Sequence, residues 1–100
     1  MCDLEKQTQV TIDGEHDTDR GWLYTMTIRW MDGTTSDHEL TLAWVDHEHL
    51  VGGMISPSVL AKSAAILACG YLGQGEMPAR CDVSSLRRMI PDFDASVKAM

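Results

Sequence analysis

One hundred residues, 44% of them hydrophobic, suffice for one modest core and need no second domain. Fifteen Asp/Glu against eight Lys/Arg give a net charge of −7 with no basic run, which excludes the usual electrostatic basis of nucleic-acid binding. The longest apolar stretch, AAILACGYLG at residues 64–73, is broken by glycines and is too short to cross a bilayer, so a cytoplasmic protein without membrane attachment is expected.

The acid is concentrated in one half. Residues 1–50 hold eleven Asp/Glu against Lys6, Arg20 and Arg29, while residues 51–100 hold four against five Lys/Arg. Such a charge keeps a small protein soluble; an acidic face can also meet a basic partner or imitate a phosphate backbone. Cys2, Cys69 and Cys81 form no CxxC pair and are odd in number, which points to reduced thiols, with Cys69 a small buried residue.

Along the chain, QTQVTID (7–13) alternates weakly through Val10 and Ile12 and reads as a possible first strand. The acid-rich DGEHDTDRG (13–21) places Asp13, Glu15, Asp17 and Asp19 at alternate positions. It lacks the glycine and terminal glutamate of a helix–loop–helix calcium site and reads as a solvated hairpin loop. In WLYTMTIRWM (22–31) the even positions Trp22, Tyr24, Met26, Ile28 and Trp30 are apolar and Thr25, Thr27 and Arg29 are polar, the period of a half-buried strand. Residues 35–44 repeat it through Leu40, Leu42 and Trp44. A two-residue Asp32-Gly33 turn sets Ile28 opposite Asp37, mixing the wet and dry faces. A longer loop that pairs residues whose numbers add to 66 sets Trp22 opposite Trp44, Tyr24 opposite Leu42 and Arg29 opposite Asp37.

The stretch AWVDHEHLVGG (43–53) carries His47 and His49. On a strand these two share a side and form the H-x-H pair used by metal sites; on a helix they lie about 200° apart and cannot. Asp46 as N-cap, Leu50 and Val51 as core residues and Gly52-Gly53 as terminator favour a helical connector over 46–51. Ser56 and Pro57 open a main helix over 57–72, with Val59, Leu60, Ser63, Ala64, Leu67 and Tyr71 at helical spacing, Gly70 inside it and Gly73 after it. A last helix over 83–90, capped by Asp82 and stopped by Pro91, presents Val83, Leu86, Met89 and Ile90, leaving Arg87 and Arg88 to solvent.

YTMTI, HELTL, a polar segment ending LVGG, SPSVLAKSAAIL and CDVSSLRRMIPDF together resemble a family of small bacterial proteins of unknown function. In that family a Y-x-V-x-V strand and an H-x-V-x-V strand precede a tyrosine-rich turn ending L-x-x-G, a helix opening S-P-E-x-L and a terminal F-D-L-x-x-I-x-x-x-F-P segment. The resemblance spans about residues 22–95 and lies mostly in apolar spacing. The chain departs from it over 68–81, where ACGYLGQGEMPARC replaces a charged helix end and Cys81 stands at a usually aromatic position. It implies the fold and brings no activity with it.

The expected architecture is therefore α+β: an antiparallel meander of two or three strands (7–13, 22–31, 35–44), the connector, the main helix and the C-terminal helix. It forms one domain over 1–100 with 1–6 and 95–100 frayed. No catalytic, cofactor-binding or metal-ligating residue is assigned, because GYLGQG closes a helix where a phosphate loop opens one and Cys69 lies within an apolar helix. The function expected is a non-enzymatic protein-interaction or regulatory module, with a protein partner or a second copy bound at an aromatic edge if Trp22 and Trp44 escape the core. An acidic inhibitor of a basic nucleic-acid-binding protein is the alternative, and metal or small-molecule binding a third.

Overall fold

The computed structural model describes residues 8–51, 55–73 and 75–99. The expectation of a frayed 1–6 falls outside these residues, as do Gly52 and Gly53 and the side chain of Val51. Strands β1 (Gln9–Asp17), β2 (Gly21–Arg29) and β3 (Thr35–Ala43) form an antiparallel meander. A short β4 (Arg80–Asp82) joins β3 in parallel, giving a mixed sheet of order β1-β2-β3-β4. Helices α1 (Trp44–Val51), α2 (Pro57–Leu72), α3 (Val83–Met89) and α4 (Phe93–Ala99) complete an α+β domain.

The alternation in β2 sorts as its spacing demands: Tyr24, Met26 and Ile28 are buried, and Val10, Leu40 and Leu42 join them on the same face. The pairing with β3 differs from the expected one by two residues. Trp22 faces Leu42, Tyr24 faces Leu40 and Arg29 faces Thr35, so each residue keeps its face but changes its partner. The cause is Gly33. The loop is Met31-Asp32-Gly33, with Gly33 N–H donating to the Trp30 carbonyl at 2.9 Å and Gly33 at φ 90°, where a glycine is needed at the third loop position. Trp30 therefore pairs with Thr34, through a 2.8 Å bond from its N–H to the Thr34 carbonyl, and the register follows.

Residues 13–17, read from the sequence as loop, belong to β1. A bulge at Asp13 separates Ile12, opposite Met26, from Gly14, opposite Thr25. The bulge moves Glu15 onto the inner face opposite Tyr24, whose hydroxyl donates to Glu15 Oε1 at 2.6 Å. The loop proper is Thr18–Arg20, closed by Thr18 N–H donating to the Gly21 carbonyl at 2.9 Å.

Helix α2 starts and stops where its capping residues predict. Ser56 Oγ accepts from Val59 N–H, Pro57 fills the first turn, and Gly73 at φ 81° returns its N–H to the Cys69 carbonyl. The face turned to the sheet is not the expected one. Leu60, Ala61, Ala64, Ala65, Ala68 and Cys69 are buried, while Val59 and Tyr71 are each 52% exposed. Four alanines let the helix backbone approach the sheet closely, so the small side chains pack inward and larger ones remain outside.

Two elements had no counterpart in the sequence reading. Strand β4 is three residues long, too short for alternation to register. Helix α4 runs through 95–99 of the segment expected to be frayed, with Met100 outside the described residues; Phe93 and Val97, 2% and 4% exposed, lie one turn apart and enter the core together. A turn through Asp92, at φ 56°, joins α4 to α3 across Pro91.

Candidate functional site

Helix α1 decides the DHEH question, since its four residues point in four directions. Asp46 is buried, 5% exposed, in the body of the helix and not at its cap. His47 meets the Trp22 ring edge-on, centroids 5.4 Å apart, and its Nε2–H donates to the Ile55 carbonyl at 2.6 Å. Glu48 and His49 are exposed. Two residues of helix separate the histidines by about 200°, so they do not converge on one ion. No group of three or more His, Cys, Asp or Glu suited to a metal occurs among the described residues.

Two polar networks join residues that no local pattern singles out. Arg87, expected in solvent, is clamped between helices. Its Nε and Nη2 donate to the two carboxylate oxygens of Asp94 and its Nη1 to Asp46 Oδ1, all at 2.9 Å. Ser84 Oγ donates to Asp46 Oδ2 at 2.6 Å. The guanidinium holds the Asp94 carboxyl below its ordinary range through these hydrogen bonds, against a smaller opposing effect of burial. Arg87 thus ties α3 to α1 and α4 beside an open cleft of about 650 Å³. Asp46 and Arg87 are 41 positions apart, so no local pattern could have announced the pair.

The second network runs along β3. His38, 7% exposed, has Nδ1 2.7 Å from the Pro78 carbonyl and Nε2 2.6 Å from Ser36 Oγ. A carbonyl only accepts, so Nδ1 carries the proton. In the neutral ring Nε2 then accepts from Ser36, whose oxygen accepts Trp30 Nε1–H at 2.8 Å. The His38–Pro78 bond holds the segment before β4 onto the edge of β3. No buried side-chain nitrogen or oxygen among the described residues lacks a partner.

The thiols are shielded as well. Burial pushes Cys69 up to about 11, and burial, reinforced by the adjacent Asp82 carboxylate and by Cys69, pushes Cys81 up to about 11. Of the tryptophans, Trp30 is core, Trp22 is half-buried and Trp44, expected to end β3, opens α1 and is 53% exposed.

The outer surface of α2 stands apart. Lys62 is the one charged residue among its sixteen. At 100° per residue, Val59, Ser63, Ile66 and Gly70 fall within a strip about 60° wide, opposite the buried alanines. Val59 is 52% exposed and Ile66 38%; Ile55, just before the helix with its carbonyl accepting from His47, is 39% exposed. A helix that is apolar all round ordinarily has neighbours all round. Gly70 adds to the contrast: a Cβ there would meet nothing within 4 Å, although Gly inside a helix is about 0.5–1 kcal/mol less favourable than Ala.

The sheet's other face carries a polar and acidic cluster. Thr27 Oγ1 donates to Asp13 Oδ2 at 2.6 Å and lies 3.4 Å from Asp37 Oδ1, while Glu39 pairs with Arg80 at 2.9 Å. No helix among the described residues is long and apolar enough to cross a membrane. Comparison with protein-family models, curated proteins and solved structures finds no match.

Proposed function

We propose that this protein is a non-enzymatic interaction module that docks a protein partner on the outer face of α2. The observation that carries the reading is the apolar strip itself: Val59 and Ile66 exposed on a helix with a single charge in sixteen residues. Exposed apolar surface in a contiguous strip, bordered here by Lys62, is the ordinary mark of an interface. The polar clusters favour the same reading, because Arg87, Asp46, Ser36 and His38 make their hydrogen bonds within the fold, Cys69 is buried and Cys81 is half-buried. The free thiols are in keeping with a reducing, cytoplasmic setting.

Site-specific photocrosslinking tests it. With p-benzoylphenylalanine in place of Ile66, irradiation of the cell that makes the protein yields a discrete crosslinked species, and the same probe at Thr41 on the open sheet face yields none. Only background at position 66 would end the reading.

A second reading has its own observation, the uncovered sheet face with Asp13 and Asp37 converging on Thr27 beside Glu39. This surface suits a basic partner, including a nucleic-acid-binding protein whose site it would occupy. Crosslinking at Thr41 but not at position 66, suppressed by about 0.5 M salt, is the pattern that selects it.

A further inference from the structure

We infer that the occupant of the α2 face is a second copy of this chain, bound helix to helix in antiparallel fashion about a two-fold axis. The inference rests on the docking reading above and adds the partner. In the exposed strip, large and small residues alternate: Val59, Ser63, Ile66, Gly70. An antiparallel pair centred between Ala64 and Ala65 sets Val59 against the partner's Gly70 and Ser63 against the partner's Ile66. The two-fold then repeats both contacts in reverse, as a self-complementary interface requires. Each large side chain meets a small one, the arrangement that lets facing helices interdigitate. A parallel pair instead stacks Val59 on Val59 and Ile66 on Ile66 and leaves gaps at Ser63 and Gly70.

Gly70 finds a role in this arrangement. Among the described residues nothing occupies the space where its side chain would stand, and the partner's Val59 fills it. The flanks agree. Lys62 falls beside the partner's Leu67, where its methylene stem covers apolar surface while its ammonium remains in water. Charge also favours this face: α2 has no acid among its sixteen residues. Sixteen helical residues span about 24 Å, so the contact falls below the roughly 1,200 Å² of a standard interface. The pair is therefore weak and forms reversibly with concentration.

The full chain with Cys2→Ser tests the register by disulfide trapping, given that Cys69 and Cys81 are shielded. Under mild oxidation Val59→Cys alone and Gly70→Cys alone remain uncrosslinked, because each lies far from its own copy across the two-fold, whereas an equimolar mixture forms a covalent heterodimer. Ile66→Glu, whose fold is checked by circular dichroism, raises the dissociation constant about a hundredfold or more. Crosslinking of either single variant with itself, at the rate of the mixture, overturns the antiparallel register. Absence of any crosslink, with a wild type that sediments as monomer at all concentrations, overturns the second copy as occupant. A heterologous species trapped at position 66 then leaves the docking reading standing, and none there removes both.

Discussion

Arg87 is the residue on which the helical layer turns. It satisfies Asp46, which is 5% exposed and would otherwise be a lone charge in the interior. Arg87→Met is expected to lower the unfolding free energy by about 3–5 kcal/mol in urea titrations, the cost of leaving a buried carboxylate unpaired, whereas Arg88→Ala changes it by about 0.5 kcal/mol or less. The pairing with Asp94 carries a pH signature. Its folded carboxyl titrates below the unfolded one, so the stabilisation is complete above the ordinary value near 4 and is lost as the pH falls through the depressed folded value. The stability gap between wild type and Asp94→Asn should thus be constant from about pH 7 to 5 and close below about pH 4. Thiol chemistry gives a second check at this scale. With Cys69 and Cys81 pushed up to about 11, iodoacetamide at pH 7.5 should leave both unmodified in the native protein and alkylate both in urea. Rapid native labelling of Cys69 would contradict its burial.

Among elements, α2 teaches the most. Its boundaries were legible because Ser56, Pro57 and Gly73 each satisfy a specific need of a helix end. Its orientation was not legible, because a helix apolar on every side has no stripe to read; the close fit of four alanines against the sheet decided it. Gly70→Ala should raise the midpoint of thermal unfolding in dilute protein, by an amount corresponding to about 0.5–1 kcal/mol, since the position is open and helical. In β2 and β3 the alternation identified both strands and their faces, while the register turned on one glycine that fits only the third position of the loop. Gly33→Ala, at φ 90°, should therefore cost stability, where Gly70→Ala adds it. Helix α4 was readable in Phe93 and Val97, but Pro91 drew the boundary too early. The Asp46–Arg87–Asp94 and Ser36–His38–Pro78 contacts had no local signal at all, because tertiary packing creates them.

At the scale of the whole molecule, one feature orders the others. The sheet packs its inner face on alanines of α2, the polar interior is closed upon itself, and acid lies over the first three strands and the open sheet face. The outer strip of α2 is exposed and carries no charge. DHEH, the most chemical-looking stretch of the sequence, is architectural: Asp46 anchors Arg87, and His47 bonds the Ile55 carbonyl. The most direct measurement is sedimentation equilibrium of the wild type and Ile66→Glu across about 1–500 μM. The account predicts a wild-type mass that rises with concentration from the 11.1 kDa monomer toward twice that value, and a variant that stays monomeric throughout. A wild type that associates just as strongly when Ile66 is Glu, or that never departs from 11.1 kDa, would contradict it.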